Sequence, residues 1–431
     1  MGTSQFPEGV RSLRAPALRN PSLGAPPPRV SPPAAPVSGI RPAGESVPDT
    51  GLAGAPAPDS GPSGAACRQN PVHHRFDPLA VQRATQRERF DLILTGSVFW
   101  DIIFTGLQEL PSPGTELWSE GMGSCPGGVA NQAIAASRLG LNVTLAAAFG
   151  DDGYGDFNWN ILSAREHVDL SSSRRFPGWH SPVTISLSVL KDRSMVTHGH
   201  PSPLSASELI GDPPPTARAA VVPLEEELAP WALAAARNGT KLFGAVGWDP
   251  SGRWHGGMLA NLKHFHAFMP NSVEAMALTR TDDPWAALYS LADQVPLAVV
   301  TAGGQGALAV DSITGEEEWV PALPVNAFDP TGAGDCFGAA FVVGCLAGWK
   351  LADRLSFANL CAALSVQQVG GSLAAPGWGD IADWWRRVNT SREGMRKQWL
   401  RRYSFLEDVL LDVPAEAVRR ASATIAHQSD A

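Results

Sequence analysis

From residue 90 onward, short apolar runs alternate with segments of helical periodicity. Phe90-Asp91-Leu92-Ile93-Leu94-Thr95 reads as a strand closed by Gly96. Residues 131–139 carry apolar positions at helical spacing and stop at Gly140. Residues 143–149 form an unbroken apolar run and predict a second buried strand. Weaker strand runs follow at 183–190, 219–224, 241–246 and 265–269, and a clear one at 297–301. Helical segments fall between many of them, as at 274–280 and 285–293. Strands alternating with helices predict an α/β fold with a mostly parallel sheet flanked by helices on both faces. In such sheets ligands sit beyond the carboxyl ends of the strands, so the informative residues should lie just after them.

The two ends of the chain have a different texture. Sixteen of the 37 prolines fall in the first 80 residues, with Gly, Ala and Ser and almost no apolar periodicity. Such a stretch cannot bury enough surface to offset its ordering entropy, so residues 1–88 read as a disordered leader. It is Arg-rich and acid-poor like a transit peptide, but its prolines spoil an amphipathic targeting helix, which favours a dispensable tail. Residues 89–378 form the α/β domain. Residues 379–431 read as a helical extension in which Trp384, Trp385, Trp399 and Leu406 alternate with arginines. That pattern suits amphipathic helices packed on the domain or on a partner chain.

Composition narrows the function. The 431 residues are 44% hydrophobic and 17% charged, with a net charge of −9, enough apolar material for a large core. The acidic balance argues against nucleic acid or anionic membrane as a partner, since both favour basic faces. The longest apolar stretch, 337–349, is too short to span a bilayer. The five cysteines form no Cys-x-x-Cys pair, which fits a reducing cytoplasm and disfavours structural zinc.

The strongest chemical signal is Asp329-Pro330-Thr331-Gly332-Ala333-Gly334-Asp335-Cys336-Phe337. A turn of small residues opens directly into an apolar helix, whose first amides and partial positive charge make a natural anion site. A carboxylate there, Asp335, can take the proton of a substrate hydroxyl while the amides hold a transferring phosphoryl group. The string resembles the signature of the ribokinase-like (PfkB-type) carbohydrate kinase family over roughly residues 88–378. The resemblance implies a central mostly parallel sheet flanked by helices, with a small β-sheet lid. It also implies ATP-dependent phosphorylation of a hydroxyl on a sugar or nucleoside. By that match Asp335 is the base, and the amides of Gly332, Ala333, Gly334 and Asp335 form the anion hole.

Other segments match the same family. Asn271-Ser272-Val273-Glu274 is similar to its Asn-x-x-Glu motif, which helps place the ATP phosphates and hydrated Mg²⁺; a helix cap is the alternative reading. Pro126-Gly127-Gly128-Val129-Ala130-Asn131 resembles the sugar-binding signature, with Gly127, Gly128 and Asn131 as contacts. Here two residues, rather than the three that are common, separate the Gly pair from the Asn. Asp101 matches the family's sugar-gripping Asp, and a carboxylate accepting two hydroxyls discriminates well between polyols. The neighbouring Phe99 and Trp100 would stack on a ligand or simply pack.

Thr301-Ala302-Gly303-Gly304-Gln305-Gly306 resembles the nucleotide-side loop, with Thr301, Gly303 and Gly306 as ATP contacts, and otherwise reads as a hairpin turn. Asn359 resembles a residue on the adenine-side helix. Gly150-Asp151-Asp152-Gly153-Tyr154-Gly155 resembles a turn that hinges the lid. Asp329 and Thr331 match positions that contribute to a monovalent cation site, so K⁺ dependence is an expectation, as is a homodimer through the lid. A nucleoside kinase is the alternative within this chemistry, and a catalytically silent sugar- or nucleotide-binding protein the alternative outside it. A dinucleotide oxidoreductase is disfavoured, because no Gly-x-Gly-x-x-Gly follows the first strand. His255, His264 and His266 read as surface or strand residues, and Cys336 as a small filler.

Overall fold

The computed structural model describes residues 75–83, 88–189, 192–247, 252, 254–390 and 396–421. Cys67 and nearly all of the proline-rich leader lie outside the described residues.

Fourteen strands are described: β1 (Phe90–Thr95), β2 (Val98–Leu107), β3 (Gly121–Gly128), β4 (Val143–Ala146), β5 (Ala148–Gly150), β6 (Arg174–Phe176), β7 (Val183–Val189), β8 (Asp192–His198), β9 (Ala217–Pro223), β10 (Lys241–Ala245), β11 (Ala267–Phe268), β12 (Leu297–Thr301), β13 (Ala307–Asp311) and β14 (Glu316–Val320). The main sheet runs β14-β13-β12-β11-β10-β9-β1-β4. β4 through β12 pair in parallel, and β13 and β14 close one edge antiparallel. The chain enters at β1, steps to β4 on one side, then builds outward from β9 on the other. That reversal next to β1 is where an open α/β sheet leaves a crevice for a ligand.

β1 shows why the sheet lies at the centre. Leu92 and Leu94 point into one apolar cluster, shared with the helices Val129–Arg138, Ala333–Ala347, Leu351–Ser365 and Trp378–Thr390. Ile93 points the opposite way, toward the helices Pro230–Arg237, Ser272–Thr279 and Pro284–Ala292. All three side chains are essentially fully buried. Each contributes about 1.5–3 kcal/mol by leaving water, and alternation along the strand serves both faces at once. The polar exception, Asp91, is buried but paired with Arg83 and Arg218, and it accepts from Asn142 N at 2.6 Å.

A separate four-stranded sheet, β3-β2-β7-β8, forms the lid. Asp101, Ile103, Thr184, Ser186, Met195 and Thr197 share one face of it by register, and Ile102, Phe104, Met122, Ile185 and Val196 share the other. Its strands 98–107 and 192–198 were not expected from the sequence pattern, and Asp101 lies inside the first of them.

The expected single strand over 143–149 is two strands in two sheets. β4 stays in the main sheet, while β5 pairs with β6. The break is at Ala147, whose N–H donates to Ser173 Oγ at 3.1 Å and whose carbonyl accepts from Arg174 N at 3.1 Å. An apolar run shows burial, not which partner strand receives it. The 150–155 turn is held by Asp152, which caps the helix Gly153–Asn160 through Gly155 N at 2.7 Å and accepts from Ser181 N at 2.9 Å.

The segment after residue 377 packs into the core. Trp378 stacks on Phe357 at 5.4 Å between ring centroids and donates to Leu139 O at 3.0 Å. Ile381, Trp384, Trp385, Tyr403 and Leu406 belong to the same apolar cluster as β1. Among the described residues, no helix is long and apolar enough to cross a membrane.

Candidate active site

The floor of the cleft is the loop 329–335. Gly332 adopts φ +75°, a left-handed conformation that glycine takes without strain, and the helix Ala333–Ala347 begins directly after it. Ala333 N donates to Pro330 O at 3.2 Å and Cys336 N to Gly332 O at 2.9 Å. Among the described residues this leaves the amides of Gly334 and Asp335 as helix-start donors with no backbone acceptor. Of the four amides expected to form an anion hole, Ala333 N is bonded within the turn, while Gly332 N, like those of Gly334 and Asp335, has no backbone acceptor among the described residues. Asp329 is buried; its carboxylate accepts from Thr331 N at 2.9 Å and Gly370 N at 3.3 Å, which fixes the loop.

Asp335 lies in the first turn of that helix, half-buried. Asn131 Nδ2 donates to its Oδ2 at 3.1 Å. Burial pushes the Asp335 carboxyl up to about 6, against the pull of the Asn131 bond and the Arg193 charge. A carboxylate at about 6 is deprotonated at neutral pH yet basic enough to accept a hydroxyl proton. Asn131 itself is buried, and its Oδ1 has no hydrogen-bond partner among the described residues. That oxygen lies close to the backbone of Gly371, a free acceptor held beside the base.

The wall facing this floor is the lid. Asp101 is 8% exposed on β2, and burial raises its carboxyl to about 7; Arg193 opposes that shift, while Asp329 and Asp335 add to it. Those three charges place Asp101 and Asp335 in one electrostatic cluster. A Cβ on Gly127 of β3 would fall 2.0 Å from Asp101 Oδ2, so a side chain there would displace that carboxylate. Thr184 Oγ1 and Thr197 Oγ1 lie 3.0 Å apart on the same face, and the buried Ser186 Oγ has no partner among the described residues. The inner lid therefore presents hydroxyls around a carboxylate. Trp100 points away from it, its ring against Tyr154 at 4.6 Å and Phe157 at 5.2 Å, and so packs rather than faces the cleft.

Arg193, at the start of β8, was not among the residues the sequence singled out. Its Nη1 donates to Thr331 Oγ1 at 2.5 Å, so the lid touches the floor at the anion-binding loop. The signal was available only as alternation: Arg193, Met195 and Thr197 share the face of Asp101 once β8 is recognised as a strand.

The remaining candidates lie along the carboxyl ends of β11, β12 and β14. Asn271 and Glu274 form a reciprocal cap on the helix Ser272–Thr279: Asn271 Oδ1 accepts from Glu274 N, and Glu274 Oε2 from Asn271 N, both at 2.9 Å. An isolated bridge joins Asn271 to Thr301. Residues 302–306, including Gly303 and Gly306, make the hairpin turn between β12 and β13, braced by Trp319 Nε1 on Gln305 O at 3.2 Å. Asn359 is buried and spends its Nδ2 on Val320 O at 2.9 Å. The structure thus brings Asp101, Asn131, Asp329, Thr331, Gly332 and Asp335 together, links Asn271 to Thr301, and ties Asn359 to the end of β14. No group of three or more His, Cys, Asp or Glu side chains suits direct metal ligation among the described residues.

Comparison with known proteins agrees with this geometry. The sequence model of the pfkB family carbohydrate kinase matches residues 102–377, well over half of the chain. The ribokinase of Bacillus subtilis is 26% identical over 298 residues, covering 66% of this chain and 96% of that protein. A Klebsiella pneumoniae fructokinase is 30% identical over 284 residues, covering 58% and 89%. A putative ribokinase II from E. coli, solved in complex with ATP and Mg²⁺, superimposes with a TM-score of 0.58 at 21% identity over 69% of this chain and 99% of its own. The fold is ribokinase-like, and the chain belongs to the pfkB family of carbohydrate kinases, a phosphotransferase with an alcohol group as acceptor.

Proposed function

We propose that this kinase uses ATP to phosphorylate a hydroxyl of a sugar or sugar derivative, with Asp335 as the base. The observation that carries the reading is the Asp335 carboxyl, raised to about 6 at a helix start with free amides and held by Asn131 across the cleft from Asp101. Asp101 grips acceptor hydroxyls, and Thr184, Ser186 and Thr197 on the same lid face suit a polyol. Asn131 Oδ1 adds an acceptor for one of them. A sugar is favoured over a nucleoside because the Trp100 ring is committed to Tyr154 and Phe157.

The amides of Gly334 and Asp335 receive the transferring phosphoryl group, while the 301–306 turn and Asn359 flank the rest of the nucleotide. Asn271 and Glu274 offer oxygen donors but no closed cage, which fits Mg²⁺ held through waters and phosphates. The ion neutralises phosphate charge; the chain's residues orient the acceptor and take its proton. A monovalent cation fits beside Asp329, a buried carboxylate with two backbone amide donors and no ion pair among the described residues. The outer lid face exposes Met122, Ile185 and Val196, with Trp118 88% exposed nearby, which supports a homodimer through the lid. The described cysteines, Cys125, Cys336, Cys345 and Cys361, are buried and unpaired, which supports a cytoplasmic setting.

The test is MgATP consumption coupled to product mass across ribose, fructose, fructose phosphates, 2-keto-3-deoxygluconate and nucleosides, in potassium, sodium and choline salts. We expect one sugar class to turn over, fastest with potassium, and Asp335→Asn to lose at least about 10³-fold in kcat. Full activity in Asp335→Asn would remove the assignment of the base, and equal rates in the three salts would remove the cation.

A further inference from the structure

We infer that Arg193 is a catalytic arginine carried by the lid, one that binds the transferring phosphoryl group when the lid is closed; this rests on the kinase reading above. β7 and β8 form a hairpin, and Arg193 stands next to its turn, across from Ser188. From there its guanidinium reaches Thr331 Oγ1 at 2.5 Å. Thr331 immediately precedes Gly332, so the cation stands beside the loop whose Gly334 and Asp335 amides have no backbone acceptor. Its charge is felt at both carboxyls of the cleft, Asp101 and Asp335. A guanidinium fork beside helix-start amides is a phosphate-binding arrangement, drawn here from a lid strand and a helix of the floor.

In the transfer, the acceptor oxygen forms a bond to the γ-phosphorus as the bond from that phosphorus to the β–γ bridging oxygen breaks. The electron pair of the broken bond leaves with ADP, and the acceptor proton passes to Asp335. Arg193 exchanges no proton. It offsets charge on the equatorial oxygens, where phosphoryl transfer accumulates it. Since the arginine belongs to the lid, this stabilisation is complete only while the lid covers the acceptor, which restrains hydrolysis of ATP by water.

The test needs no knowledge of the sugar. Affinity for MgADP alone, and for MgADP with aluminium fluoride as a mimic of the transferring group, is measured by calorimetry for the wild type, Arg193→Ala and Arg193→Lys. The expected result is near-equal MgADP affinity throughout, with binding of the fluoride complex weakened about a hundredfold or more in Arg193→Ala. Added guanidinium chloride at low concentration should restore part of it. Arg193→Lys keeps the stem and a charge, guards against loss of folding, and should recover only part of the affinity, because an ammonium cannot present a fork. Equal affinity of wild type and Arg193→Ala for the fluoride complex would overturn the inference while leaving the kinase reading standing. A wild-type protein that binds no MgADP would overturn both.

Discussion

Asp335, half-buried, and Asp101, buried, are carboxyls of one cleft, but they carry different loads. As the proposed base, Asp335 has to be ionised to act, so activity should fall as pH drops through its value of about 6. Asn131 stabilises the charged form by donating to it, so its removal raises that value. In Asn131→Ala the acid limb of the kcat profile should move up by about one pH unit, the worth of one hydrogen bond to a charged group. An unmoved limb, with only the acceptor KM changed, would show that Asn131 binds substrate without tuning the base. At this scale the sequence was legible wherever the site is local. The string 329–335 encodes its own turn, cap and carboxylate within seven residues. Arg193 was not legible, because its partner Thr331 is 138 residues away and nothing local marks it.

Elements were legible in proportion to their periodicity. β1, β12 and the helices over 272–279 and 284–292 fall where the pattern put them. Of the lid strands only β7 was expected; β3 was missed because it reads Gly-Met-Gly-Ser-Cys-Pro-Gly-Gly, a composition that signals a loop. Its glycines serve close packing instead: at Gly127 the space a side chain would take belongs to Asp101. The motif at 271–274 shows a second kind of ambiguity, since the cap and the proposed phosphate contact use the same side chains. Asp caps a helix as well as Asn does. Asn271→Asp should therefore leave thermal stability within a few tenths of a kcal/mol, yet lower kcat by placing a carboxylate against the phosphates. A variant with wild-type turnover would mean that the residue is a cap alone.

For the whole molecule, the proposed dimer would join recognition and assembly in one sheet. Its inner face carries Asp101 and the hydroxyls, while its outer face leaves Met122, Ile185 and Val196 in water. Light scattering should find a dimer that Val196→Glu converts to monomer, because a charge desolvated in an apolar contact costs several kcal/mol. A wild-type monomer at micromolar concentration would remove the lid contact.

The packing of Trp378 separates two boundaries. Similarity to the family ends at residue 377, one residue before a tryptophan that is fully buried against Phe357 and bonded to Leu139. It begins at residue 102, after the central strand β1. The matched stretch therefore does not contain the whole of the apolar cluster beneath the site. Residues outside the match, Leu92 and Leu94 on one side and Trp378, Ile381 and Tyr403 on the other, meet in one apolar cluster with those inside it. Change outside the matched region is therefore felt in the interior, beneath the cleft.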